Sequence, residues 1–398
     1  GLISKDGAFR FRVESSAKSL VIAGGLQHVS GGTLGLNPQS GSTLIIKDKP
    51  ILLGSGVNIQ SEYGGTVVLA VPGNTYSGLN IVDHNIVRTD VANALCPTAS
   101  LQVGGSWVVD GLLNMNGFDQ TTSSLKTDGL RTGPGHLAVT SSVPATLTVN
   151  QSDLSTFAGA LEGAVRLVKN GSGTLTFSNV VSTTTGDITV NAGTLAVAET
   201  GGFGASAKFW VNGGTLELRN GAALPDTATV RLLEGAKFKL KTGVTETIDK
   251  LFLDGEQQAS GTWGATGSGA ANVNDTYFSG GGVVNVVSGP LIPYADALWD
   301  GGGTDLNLST ANNWAGDALP SFGGTARAIF AAGGSTATVD TAVSFARMFF
   351  NANTNFTVAA GAGVITNGAG GLKAGVPNTV SRTYTLGEDV VLDQHQFW

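Results

Sequence analysis

Between residues 167 and 253 the apolar positions recur in pairs two apart, and the pairs recur about every 21 residues. Ile188 and Val190, Phe209 and Val211, Val230 and Leu232, Leu251 and Leu253 form one set, each pair 21 residues after the last. Leu175/Phe177, Leu195/Val197, Leu216/Leu218 and Phe238/Leu240 form a second, with first members 20, 21 and 22 residues apart. A spacing of two is the strand period, with alternate side chains on opposite faces. The residues between are mostly Thr, Ala, Glu or Lys. Each unit therefore predicts two short strands, apolar on one face and polar on the other, joined by Gly-rich turns.

A unit this short cannot bury its own apolar face. A fixed period near 20 residues predicts a solenoid in which like residues of successive rungs stack into continuous ladders. The inward ladder residues are expected to be Ile188, Phe209, Val230 and Leu251, with Leu195 and Leu216 in the second column. The copies "GDITVNAGTLAV" and "AKFWVNGGTLEL" also repeat an Asn before a small residue and a Gly. Asn191 and Asn212 are expected to form a stacked amide ladder, and Gly193 and Gly214 to permit a corner that a Cβ would obstruct. "GGTLGL", "GSTLII", "GGTVVL" and "GSGTLTF" extend the pattern over most of residues 1–289. That is roughly a dozen rungs and a length on the order of 60 Å. Stretches near 88–100 and 254–277 read as irregular loops.

After "VVNVVSGP", the Pro and Gly residues of "LIPYADALWDGGGTDLNLSTANNWAGDALP" mark a break. Residues 290–398 read as a second, shorter β-rich unit, a solenoid or sandwich. Trp299 and Trp314 there, like Trp107 earlier, read as packing anchors.

Composition supports this picture. Of 398 residues 59 are Gly and only 13% are charged, against about 7% and about 25% in ordinary soluble chains. Apolar content of 41% rules out a disordered chain. A net charge of −7 argues against a nucleic-acid partner. No apolar run reaches the ~18 residues of a membrane-spanning helix. Gly1–Val13 have no apolar signal core and read as a mature or internal stretch. Cys96 is the lone cysteine, so no intrachain disulfide forms.

"NTYSGLNIVDHN", "LLNMNGFDQTTSSLKTDG", "LSTFAGALEG", "LVKNGSGTLTF" and "ITVNAGTLAV" follow one another in an order that resembles the passenger-associated transport repeat, also called the autotransporter-associated β-strand repeat. The resemblance covers roughly residues 60–290 and departs from the family at "LNIVDHNIVRT". It implies a right-handed parallel β-helix exported to the surface of a Gram-negative-type bacterium. "WDGGG" with the following "NW" is similar to segments that open a fresh block in large members of that family. The implied function is an extracellular or cell-surface rod without catalysis: a stalk, fibre or adhesin-like passenger.

The rival is a β-helix that binds or degrades polysaccharide. Such enzymes need clustered carboxylates with a basic residue nearby. Here the acids scatter, and the Asn-Thr-Asp, Asp-Asp, Gly-His-Gly and Arg-x-Lys patterns of polygalacturonases are missing. His28, His84, His136 and His395 have no metal-ligand spacing. Asp83-His84-Asn85 is the most enzyme-like triplet, but neighbouring strand residues point apart, and a loop or turn role is expected for it. "GGGTDLNL" resembles a calcium-binding nonapeptide yet occurs once, and that motif works by repetition. No catalytic residue, metal or cofactor is therefore expected. Trp210, between two inward residues, is expected to face outward, covered by "ETGGFGAS" or offered to a sugar ring or a neighbour. Both ends look cut from a longer pattern without polar caps. The expected partners are more of the same polypeptide or further copies end to end, with glycans or a host or neighbouring cell surface as contacts.

Overall fold

The structure is a computed structural model. It describes residues 9–14, 17–28, 32–105, 110–128, 136–178, 180–206, 208–290, 295–331, 336–352, 354–368, 371–374, 382–387 and 389–392. Trp107, His395 and the two terminal stretches lie outside them. The described residues are all β apart from one short 3-10 turn, Ala311–Asn313. The chain divides into two compact units, residues 1–254 with 260–288, and residues 255–259 with 289–398.

The first unit is a parallel β-solenoid. One long sheet takes a strand from each rung: Ser19–Ile22, Thr43–Ile46, Thr66–Leu69, Ile86–Thr89, Gly111–Asn114, Leu137–Asn150, Ala160–Asn170, Ile188–Val190, Lys208–Val211, Thr229–Leu232 and Lys250–Leu253. A second face is six-stranded over the early rungs, from Phe9–Val13 to Ser124–Lys126. Its counterpart over the later rungs, also six-stranded, runs from Leu154–Phe157 to Phe278–Ser279.

The pairing follows the 21-residue register. Ile188 lies beside Phe209, Phe209 beside Val230, and Val230 beside Leu251. Leu175, Leu195, Leu216 and Phe238 stack likewise. These side chains form one apolar column system running from Val13 to Val286. Full burial of each contributes about 1.5–3 kcal/mol.

Two departures interrupt the pattern. The long strands Leu137–Asn150 and Ala160–Asn170 pair in parallel, but their register shifts between Ser141 and Ala145, a bulge. The stretch 254–277, expected to be irregular, contains strand Gly261–Gly264, which pairs antiparallel to Val283–Val286. Val283–Val286 in turn pairs parallel with Thr245–Ile248. Near 88–100, by contrast, residues 90–99 are the irregular segment expected, between strands Ile86–Thr89 and Ser100–Val103.

The second unit is also built from parallel strands, in sheets of four, three and three. Ala295–Trp299 pairs with Ala326–Phe330, which pairs with Arg347–Phe350. Its core is aromatic. Trp299 and Trp314 meet edge to face at 5.3 Å, and Trp314 Nε1 donates to Leu308 O at 2.8 Å. Phe330 stacks on Phe350 at 5.0 Å.

Candidate functional site

The residues singled out from sequence fall in three places: the interior columns, a corner of the rungs, and the outer face of the long sheet. Ile188, Phe209, Val230, Leu251, Leu195 and Leu216 are all at most 1% exposed. Each stacks against its like in the neighbouring rungs, which leaves them no contact with solvent.

At the corner, an amide ladder crosses four rungs. Asn170 Nδ2 donates to Asn150 Oδ1 (3.1 Å), Asn191 Nδ2 to Asn170 Oδ1 (2.8 Å), and Asn212 Nδ2 to Asn191 Oδ1 (2.8 Å). The corner is tight. Gly193 has φ +65°, and a Cβ there would lie 2.3 Å from Gly173 O. Only glycine satisfies both the dihedral and the approach.

Behind the ladder sits a residue that the periodicity did not single out. Lys169 occupies an inward position, paired with Val149 on one side and Val190 on the other, and is fully buried. Its ammonium turns into the corner and donates to Asn170 O (2.8 Å), Gly171 O (2.9 Å) and Ala192 O (3.1 Å). All three ammonium protons are thus used on carbonyls of two rungs. Burial pushes the amine down from 10.5 to about 8. The signal in the sequence was a charged residue in an otherwise apolar column.

Glu246 carries the same signal. It pairs with inward Val284 and is fully buried. Its two oxygens accept the backbone N–H groups of Leu224 (3.0 Å) and Ala223 (3.1 Å). Burial raises its carboxyl from 4.5 to about 7, against the lowering effect of those two bonds and with a small added push from Asp226. Among the described residues no cation forms an ion pair with it.

On the outer face Trp210 is half-buried, in register between Thr189 and Arg231. Its Nε1 donates to Asp187 Oδ2 at 3.3 Å. The Arg231 guanidinium lies 5.0 Å from the Trp210 ring centroid and 4.0 Å from that of Phe252, one rung further. The three side chains form one outward stack. Desolvation between the rings lowers the Arg231 pKa from its ordinary value.

The enzyme-like triplet disperses. Asp83 and His84 both have positive φ, +56° and +60°, so they occupy a turn, the role the sequence reading favoured. Asp83 accepts from Tyr63 N–H (3.2 Å), His84 Nδ1 pairs with the buried Asp110 carboxylate, and Asn85 Nδ2 donates to Glu62 O (2.7 Å). Asp83 and Asn85 both reach back to the 62–63 segment of the preceding rung, while His84 reaches forward to Asp110. In "GGGTDLNL", Asp305 accepts from Asn307 N–H, Thr310 Oγ1 and Asn313 Nδ2 (3.0, 3.0 and 3.2 Å), which closes the turn on itself. Among the described residues, no three His, Cys, Asp or Glu side chains gather as metal ligands.

The arrangement defines a class: a parallel β-solenoid whose polar interior groups are spent on holding rung to rung. Residues 167–197 match the family described as Passenger-associated-transport-repeat. They contain Lys169, Asn170, Ile188, Asn191 and Leu195, hence the ladder corner itself. Among curated proteins, the Adhesin BmaC autotransporter of Brucella suis biovar 1 (strain 1330) is 29% identical over 173 residues, 42% of this chain. The aligned part is 5% of that much longer protein. No solved structure matches. Residues 167–197 thus carry a passenger-associated transport repeat.

Proposed function

We propose that this chain is a structural, adhesin-like stretch of an exported cell-surface passenger, a stalk or fibre with no reaction of its own. The observation that carries the reading is the ladder corner. Asn150, Asn170, Asn191 and Asn212 bond to one another, and the Lys169 ammonium bonds to backbone carbonyls. These groups lock rungs together and are not aimed at a ligand. Similarity to an autotransporter adhesin supports the surface location. In this reading residues 1–289 form one block of repeats and residues 290–398 open another. The natural partners are more of the same polypeptide or further copies end to end, and the surface of a host or neighbouring cell.

The test is twofold. Protease shaving of intact cells that carry the native protein should release peptides from this stretch, and deleting it should shorten or weaken attachment without loss of any hydrolytic activity. Turnover of plant, algal or host polysaccharides by the purified chain would overturn the reading. The outward stack of Trp210, Arg231 and Phe252 keeps a second reading in play, a glycan-binding rod. A glycan array whose signal falls with Trp210→Ala would favour it.

A further inference from the structure

The sequence holds five Asn-Gly steps, at residues 116, 170, 212, 220 and 367. Such a step carries its own reaction. The glycine nitrogen, once it has lost its proton to hydroxide, bonds to the asparagine Cγ, and the Cγ–Nδ2 bond breaks to release ammonia. Water then opens the cyclic imide at either carbonyl, leaving aspartate or isoaspartate. The reaction needs only water and a side chain free to rotate until Cγ stands roughly 3–3.5 Å from the attacking nitrogen.

Four of the five sites are held against that rotation. Asn116 Nδ2 is tied to Asp90 (3.0 Å), and the Gly117 N–H, the would-be nucleophile, donates to Ser141 Oγ (2.9 Å). Asn220 Nδ2 donates to the carbonyls of Ala198 and Gly201 while its Oδ1 accepts from Ala222 N–H (2.9 Å). Asn367 is fully buried. Asn170 is an inner member of the ladder, gripped at Nδ2 by Asn150 and at Oδ1 by Asn191.

Asn212 differs. It is the last amide of the ladder, because the next rung places Leu233 at that corner, its N–H on Val211 O where Asn212 N–H bonds Val190 O. Its Nδ2 is held by Asn191, but among the described residues nothing donates to its Oδ1. Asn212 and Gly213 are both exposed. From this we infer that Asn212 is a deamidation site of the folded protein, and that the ladder protects Asn170 from the same reaction. The product puts a carboxylate oxygen against Asn191 Oδ1, acceptor facing acceptor, so the reaction opens the ladder from its free end and adds a negative charge to the corner.

The experiment is peptide mapping by mass spectrometry, with isoaspartyl methyltransferase labelling, of the folded full chain aged in mildly alkaline buffer. Asn212 should convert severalfold faster than Asn170, while in urea the two should convert at similar rates, since each precedes a Gly. Asn191→Ala releases Asn170 Oδ1 and should raise conversion at Asn170 severalfold, with Asn116 and Asn220 as internal controls for folding. Equal rates at Asn170 and Asn212 in the folded chain would overturn the inference. So would an Asn191→Ala chain in which Asn170 stays protected.

Discussion

Glu246 makes stability depend on pH in a direction opposite to that of most carboxylates. Its carboxyl titrates near 7 in the folded chain and near 4.5 when unfolded. Between those values the folded state holds a proton that the unfolded state has released. Stability from this group is therefore fully present below 4.5, falls as pH rises toward 7, and is flat above. Each pH unit between the two titrations is worth about 1.4 kcal/mol, so the fall caused by burial amounts to about 3 kcal/mol. A salt-bridged carboxylate behaves the other way. The perturbation is Glu246→Gln, which keeps the volume and removes the titration. It also turns an amide NH2 toward one of the two backbone N–H groups, a fixed cost of about 1–3 kcal/mol. The assay is urea unfolding of both chains from about pH 4.5 to 8.5, followed by far-UV circular dichroism, because the difference between them cancels every other titrating group. Hydrogen exchange at the Ala223 and Leu224 amides gives a local reading, and their protection should fall across the same range in wild type. The wild-type chain should lose about 3 kcal/mol relative to the variant between the ends of that range. Parallel curves, or amide protection at Ala223 that ignores pH, would refute the reasoning.

Other expectations follow from the same geometry. Lys169→Met should cost about 2–4 kcal/mol in urea unfolding, since it strips the donor from three carbonyls at once while relieving a buried charge. Leu195→Ala should cost about 2–5 kcal/mol, and Leu195→Asp should abolish cooperative melting, because it buries a charge in the ladder. A Leu195→Asp chain melting within a degree or two of wild type would show the register to be wrong. Gly193→Ala, whose Cβ would sit 2.3 Å from Gly173 O at φ +65°, should lower the melting temperature more than Gly235→Ala, which has the same sign of φ but open space. Differential scanning calorimetry of the pair separates the close approach from the dihedral.

The repeated rungs were legible because a solenoid writes its tertiary contacts into a fixed sequence offset. Ile188, Phe209, Val230 and Leu251 could be aligned by counting, and the same count placed Asn191 under Asn212. Counting fails where the offset changes. Phe238 pairs with Phe278, 40 residues on, and the bulge at Ser141–Ala145 slips the register inside one strand. It also fails for residues whose chemistry is set by burial. Lys169 and Glu246 look like ordinary surface charges until their columns are known to face inward. The alternation turns Trp210 outward, but its stacking on Arg231 depends on a rung neighbour 21 residues away whose side chain reaches sideways.

The reversed strand Gly261–Gly264 bears on the order in which the chain assembles. Up to Lys250–Leu253 each strand of the long sheet needs only the roughly 20–27 residues before it as a template, so assembly advances along the chain like a zipper with short loop closures at each step. Gly261–Gly264 cannot join that advance. The strand it pairs with, Val283–Val286, comes later in the chain and must first lie down beside Thr245–Ile248. Residues 260–273 are therefore left waiting while the chain moves past them, and fold back once Val283–Val286 is in place. Growth by copying stops at this edge of the sheet, because a strand running backwards offers the next rung no parallel register to continue.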